Sequence, residues 1–93
     1  MKIKIKESFK EKLSKQVDYI AEDSPTRARK FKKDILEKIK GIYPKPYKNR
    51  QSIYFEDDKI RDLIFKGYTI VYKINSEDES IEVFGFVKYQ KEP

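Results

Sequence analysis

The 93-residue chain has no cysteine and no histidine, and these two absences exclude several kinds of chemistry. Without cysteine there is no disulfide framework and no thiolate nucleophile. Without histidine there is no Cys/His zinc site, no serine–histidine triad and no general base that titrates near neutral pH. The three glycines are isolated, so there is no glycine-rich phosphate loop. We therefore expect neither a metal nor a cofactor.

Long apolar runs are also missing. No stretch approaches the length of a membrane-spanning helix, and the charged start at Met1–Lys6 is not followed by the apolar core of a signal peptide. We expect a cytoplasmic protein with no membrane partner, and the lack of cysteine fits a reducing compartment.

Basic and aromatic residues are abundant. Lysine and arginine number 22 against 16 acids, for a net charge of +6, and seven Tyr and six Phe supply core material for one domain over residues 1–93. The charge is uneven, because residues 1–50 hold 16 cations and 7 acids whereas residues 51–93 hold 6 and 9. Such a basic half suits nucleic acid, an acidic protein or an anionic membrane, and the alternative is that its lysines only solvate helix faces.

The first half of the chain predicts an edge strand and a helical hairpin. Lys2–Lys6 alternates polar and apolar residues, which is typical of a half-buried strand at a sheet edge. Two apolar stripes at helical spacing follow: Phe9, Leu13, Val17 and Ile20, then Ala28, Phe31, Ile35, Ile39 and Ile42.

Capping signals bound these helices. Ser8 is predicted to cap the first helix through the amide of Glu11, and a four-residue break at Glu22–Pro25 separates the two helices. Ser24 is predicted to cap the second helix, with Pro25 at its first position. Gly41 is predicted to end it in the left-handed conformation.

The second half predicts strands. Ile60–Phe65 and Tyr68–Ile74 flank Lys66-Gly67, a two-residue hairpin turn, and Tyr68–Ile74 is apolar on both faces, as in a central strand. In the last strand we expect one face to hold Ile81, Val83, Gly85 and Val87 and the other Glu82, Phe84, Phe86 and Lys88. Five aromatic residues of this half are predicted to be core: Tyr54, Phe55, Phe65, Tyr68 and Tyr72. The fold class is α+β: an N-terminal strand, a helical hairpin and a three- to four-stranded antiparallel sheet in two layers.

Several phrases of sequence carry a resemblance to a known family. They are Tyr19–Pro25 with Ala28 and Phe31, then Ile60–Leu63 with Gly67–Ile74, and finally Ile81–Val87. In this order they resemble the RelE/ParE superfamily of bacterial toxins, and the helical phrase resembles its ParE branch, of plasmid-stabilisation type. The resemblance spans about Ile5 to Lys88.

The resemblance implies a toxin of a type II toxin–antitoxin module, neutralised by a cognate antitoxin in a hetero-oligomer. For the ParE branch it implies inhibition of DNA gyrase. The expected antitoxin-binding residues lie on the hairpin, and the expected target- or nucleic-acid-binding residues lie in the second half. These two sets are, respectively, Phe9, Leu13, Arg29, Lys32 and Lys33, and Lys59, Arg61, Lys66 and Lys91.

Two alternatives stay open. One is a RelE-like endonuclease that cleaves mRNA on the ribosome, and the other is a non-toxic basic interaction or nucleic-acid-binding domain. Where the superfamily commonly has arginines, this chain has Thr69 and Gln90. If the chain is a ribonuclease, its catalytic candidates are Arg61, Lys73, Lys88 and Tyr89. Lys73 and Lys88 lie on strands expected to be neighbours, so their side chains are predicted to converge on one sheet face.

Overall fold

The computed structural model describes residues 2–88. A strand, two helices, a short 3₁₀ turn and four further strands follow one another along the chain. Their bounds are β1 Lys2–Ile5, α1 Glu7–Asp23, α2 Pro25–Lys40, the 3₁₀ turn Pro46–Lys48, β2 Arg50–Gln51, β3 Ile60–Phe65, β4 Tyr68–Asn75 and β5 Ser80–Lys88.

All five strands form one sheet in the order β1-β5-β4-β3-β2. The pairs β3–β4 and β4–β5 are antiparallel, as the meander pattern predicts. The short strand β2, which that pattern does not include, also pairs antiparallel with β3, whereas β1 lies parallel to β5 at one edge. The central position of β4 and the edge position of β1 are confirmed. The turn at Lys66 and Gly67 is also confirmed, since both residues have positive φ, 48° and 81°.

The two helices cover one face of the sheet, here called the helix face. The predicted stripes supply this core: Phe9, Ile35 and Ile39 are buried against strand residues such as Ile70 and Ile81. The rings of Phe9 and Phe86 meet edge to face at 5.6 Å. The α+β two-layer fold is therefore the one that the periodicity predicts.

The break between the helices is shorter than predicted, because α1 continues to Asp23 and only Ser24 separates it from α2. Ser24 caps α2 as expected, accepting a hydrogen bond from the Arg27 amide at 3.2 Å, and Pro25 takes the first helical position. The prediction for Gly41 is wrong. Its φ is −76°, because the chain stays right-handed while Ile42 donates to Ile39 and buries its side chain.

A β-bulge changes which face of β5 enters the core. Val71 pairs with Gly85 and Tyr72 pairs with Val83, which leaves Phe84 without a partner. Phe86 therefore faces the helices together with Val83, so the strict alternation predicted for β5 is wrong beyond Val83.

The bulge also explains why the predicted cap at Ser8 is wrong. A cap at Ser8 would make Phe9 the first helical residue, but α1 begins two residues earlier, at Glu7. Its N-cap residue Lys6 makes no side-chain capping bond. The Ser8 hydroxyl instead donates to the carbonyl of Phe84 at 3.0 Å. The serine therefore ties the start of α1 to the bulged residue of β5.

The opposite face of the sheet is crossed by an irregular segment, residues 52–57, here called the strap. Its Ser52 amide donates to Ile60, its Ile53 amide donates to the Asp62 carboxylate at 3.1 Å, and the ring of Phe55 meets that of Phe84 at 5.6 Å. Phe65 and Tyr72 are buried and Tyr68 is half-buried, but Tyr54 and Phe55 are exposed. The prediction that these two residues belong to the core is wrong, because the strap lies outside the sheet and is anchored mainly through its backbone.

Candidate partner-binding groove

A groove with a volume of about 410 Å³ runs between α1 and α2 and ends at β1. Its lining comprises Ile5, Phe9, Lys10, Leu13, Ser14, Val17, Asp18, Lys32 and Leu36.

The floor of the groove is apolar because the apolar stripe of α1 extends beyond the part of that helix covered by α2. Phe9 and Leu13 are buried at its base, whereas Val17 and Leu36 remain partly exposed. Leu36 directly follows Ile35 of the α2 stripe, so it points to one side of the core and into the groove. Half-buried leucine and valine side chains beside a packed floor suit the apolar face of another helix.

The rim of the groove is mostly basic. Lys10 projects from α1 and Lys32 from α2, with Asp18 as the one carboxylate among the lining residues. Arg29 and Lys33 are exposed on α2 one turn or less from Lys32, on the face that also holds Leu36. A partner helix that carries carboxylates beside an apolar stripe would complement both floor and rim.

The structure therefore gathers the five residues predicted for antitoxin binding along one helical surface. Phe9, Leu13 and Lys32 line the groove, while Arg29 and Lys33 extend its basic rim. Ile5 and Leu36 were not among the predicted binding residues. The signal for Leu36 was available in the sequence, since it is an apolar residue displaced by one position from the α2 stripe.

The groove continues into an open sheet edge. The amide of Lys2 donates to the carbonyl of Glu79, the residue before β5, and the amide of Lys6 donates to the carbonyl of Val83 in β5. Since successive residues of a strand present their backbone groups to opposite sides, those of Ile3 and Ile5 face away from the sheet. Because β1 is the last strand on this side, an extended segment of a partner could pair with it while a helix occupies the groove.

The side chain of Arg61, the first catalytic candidate, is hydrogen-bonded to the backbone of two loops. Its guanidinium donates to the carbonyls of Asp58 at 2.8 Å and Asn49 at 3.2 Å and lies 4.8 Å from the centre of the Tyr47 ring. Its neighbour along β3, Asp62, pairs with Arg50 at 3.3 Å. Alternation along β3 sends Asp62 to the strap face and Arg61 to the helix face.

The predicted convergence of Lys73 and Lys88 is wrong. Lys73 lies opposite Glu82 on the strap face, in a depression that also holds Asp57 and Asp78. Lys88 lies opposite Tyr68, five residues along β4, and its ammonium is 5.4 Å from the centre of the Tyr19 ring on the helix side. Antiparallel pairing places the two lysines at opposite ends of β5, so Arg61, Lys73 and Lys88 form no common cluster.

The residues predicted to bind a target are also spread out. Lys59 lies in the turn before β3, and Lys66 lies at the far end of that strand, 3.7 Å from the Asp34 carboxylate. A hydrogen bond from Lys30 lowers the pKa of Asp34, and the charge of Lys66 acts in the same direction. Tyr89, Gln90 and Lys91 lie outside the described residues.

Two features are absent from residues 2–88, a group of side chains that could hold a metal ion and a membrane-spanning helix. No group of three or more His, Cys, Asp or Glu side chains there is arranged to hold a metal ion. Neither helix in that range has the length and apolar character needed to cross a membrane.

Comparison with protein families identifies the chain's relatives. The family model described as "ParE toxin of type II toxin-antitoxin system, parDE" matches residues 3–92, almost the whole chain. No curated protein is significantly similar to the chain.

Proposed function

The chain belongs to the ParE toxin family of type II toxin–antitoxin systems, and we propose that it inhibits DNA gyrase until a cognate antitoxin covers its helical hairpin. Family membership implies the antitoxin partner. The gyrase target follows the family resemblance, and a cytoplasmic location is part of the same proposal. Toxin and antitoxin form a hetero-oligomer.

The observation that carries the antitoxin part is the groove between α1 and α2. It combines an apolar floor at Phe9 and Leu13 with a basic rim at Lys10 and Lys32, and it continues into the open edge of β1. An amphipathic antitoxin helix with an acidic flank fits the groove, and an extended segment fits the edge. The excess of cations in residues 1–50 accelerates the approach of such a partner.

Charge reversal on the rim tests this docking. We expect the double substitution Lys10→Glu and Lys32→Glu to slow association with the product of the adjacent antitoxin frame by about tenfold or more at low salt. The matched control, Lys38→Glu with Lys40→Glu, changes the net charge equally at exposed positions outside the groove. Association is measured by stopped-flow or biolayer interferometry. Equal slowing by both pairs would contradict docking in the groove.

The gyrase target is tested separately. Purified protein in excess over gyrase is expected to block supercoiling of relaxed plasmid, and prior addition of the antitoxin is expected to restore it. If supercoiling and gyrase-mediated DNA cleavage are both unchanged, gyrase is not the target, whatever the result of the docking experiment.

A further inference from the structure

An acid-free stretch between α2 and β3 concentrates features that neither the core nor the groove uses. Residues 38–55 contain no Asp or Glu but five cations: Lys38, Lys40, Lys45, Lys48 and Arg50. Of the seven large apolar side chains that are exposed within residues 2–88, five lie in this stretch: Tyr43, Tyr47, Ile53, Tyr54 and Phe55. Exposed aromatic rings interleaved with unopposed lysines indicate a binding surface.

The part from Tyr43 to Arg50, here called the aromatic–basic loop (residues 43–50), is held in place by the sheet. The buried Tyr72 hydroxyl donates to the carbonyl of Pro46 and accepts from the Asn49 side chain at 3.1 Å. The Arg61 guanidinium donates to the Asn49 carbonyl from the neighbouring strand. These bonds fix the backbone of the loop, so its exposed side chains lose less conformational freedom on binding.

The exposed side chains that project from this fixed backbone are aromatic rings and cations. Tyr43 and Tyr47 are each 48% exposed, and Lys45 and Lys48 beside them are exposed and form no ion pair within residues 2–88. Arg61 lies over the Tyr47 ring and adds a further positive charge behind it. Asp57 and Asp58 lie on the β3 side of this surface, so their charges would disfavour an anion along β3 and leave the 3₁₀ turn as the favoured place for one.

We propose that the aromatic–basic loop binds single-stranded nucleic acid. Unpaired bases stack on tyrosine rings, and lysines spaced between the rings neutralise the phosphates. An acidic peptide would satisfy the lysines but would leave the rings without flat partners. This inference goes beyond the proposed function and depends on neither the antitoxin nor gyrase.

The test is fluorescence anisotropy of the full-length protein with fluorescein-labelled oligo(dT) and oligo(U), about twenty nucleotides each, since a single binding site covers ~4–16 nucleotides in comparable proteins. We expect saturable binding that Tyr47→Ala weakens by about fivefold or more, as the loss of one stacked base predicts. The control is Tyr19→Ala, which removes another exposed ring that also lies beneath a cation, Lys88.

A lysine pair supplies the second measurement. Lys45→Gln with Lys48→Gln is expected to lower the slope of log affinity against log salt by about 1.4, since each phosphate contact contributes about 0.7 for single strands. Lys12→Gln with Lys15→Gln, on the exposed surface of α1, removes the same charge elsewhere.

Three results would overturn the proposal. They are the absence of saturable binding, equal losses in the loop and control variants, and displacement of the oligonucleotide by poly-L-glutamate as effectively as by unlabelled oligo(dT). The last result would assign the loop to an acidic protein. Circular dichroism melts of each variant separate a binding loss from a loss of fold.

Discussion

The two faces of the sheet are covered in different ways. On the helix face, regular elements bury an apolar stripe, and residues such as Phe9, Ile35 and Tyr72 have no exposed surface. On the strap face, residues 52–57 cross the strands without regular structure and are attached through polar groups, chiefly the Asp62 carboxylate and the Ser52 amide. The helix face is therefore stabilised by apolar area, and the strap face by a few directed hydrogen bonds.

This difference divides the surfaces available for binding. The groove on the hairpin lies on top of a packed core, so its shape is fixed by the same side chains that stabilise the fold. The strap and the aromatic–basic loop leave most of their large apolar side chains exposed, since they are attached mainly through hydrogen bonds to their backbones. The protein thus carries a concave apolar surface between its helices and an exposed aromatic, basic surface on the loop that follows α2.

The largest expected effect is on the free energy of unfolding, when one apolar side chain from each face of the sheet is truncated to alanine. Ile35→Ala should destabilise the protein by about 2–5 kcal/mol, because it empties a fully buried site under both helices. Ile53→Ala in the strap should change the free energy of unfolding by less than about 0.5 kcal/mol, since Ile53 is 68% exposed. Urea denaturation measures both. A loss at Ile53 as large as that at Ile35 would mean that the strap has a core of its own.

An intermediate effect is expected where the strap is anchored. Asp62→Ala should cost about 1–3 kcal/mol, because the amide of Ile53 and the guanidinium of Arg50 lose a buried acceptor. It should also speed chymotryptic cleavage in the strap, next to Tyr54 or Phe55.

The matched control is Asp58→Ala, which removes an exposed carboxylate from the turn that follows the strap and keeps the backbone carbonyl that binds Arg61. If both variants unfold and are cleaved alike, the carboxylate of Asp62 does not hold the strap.

The smallest expected effect is a pH dependence at Tyr72. Burial raises the pKa of this hydroxyl above its ordinary value of 10.0, because the phenolate would lose its hydration. The protonated form is thus favoured in the folded state, so its contribution to stability is complete below pH ~10 and is lost as the pH rises through the folded pKa.

Ultraviolet titration of tyrosinate absorbance measures this effect. One tyrosine should ionise later than the exposed ones, and this delayed component should vanish in Tyr72→Phe. A single transition near pH 10 for all tyrosines would contradict the expected shift.

The helices with a clear hydrophobic periodicity, the helix cap and the hairpin turn were predictable because each depends on residues close together in the chain. The stripes of α1 and α2, the Ser24 cap and the Lys66-Gly67 turn depend on residues within one or two turns of each other in the chain. The hairpin half of the candidate site was predictable for the same reason, since Phe9, Leu13 and Lys32 belong to those helices.

Two of the features that sequence reasoning missed, the bulge in β5 and the exposed strap, depend on distant pairings. The bulge at Phe84 requires the register of β4 against β5, and it requires Gly85, where an added Cβ would lie 2.9 Å from the Cβ of Val71. The exposure of Tyr54 and Phe55 depends on Asp62 holding the strap from another strand. Neither the spacing nor the composition of residues 52–57 carries that information.

The amino-acid sequence by itself thus determined the α+β class, the helical hairpin, the antiparallel meander of the last three strands and the excess of positive charge in the first half. These depend on hydrophobic period and turn chemistry, which act over a few residues. Only the tertiary structure decided that β1 runs parallel to β5, that Lys73 and Lys88 lie far apart, and that the loop after α2 turns its rings outward. Those outcomes depend on strand register and on polar contacts between segments remote in sequence, and no local rule specifies either.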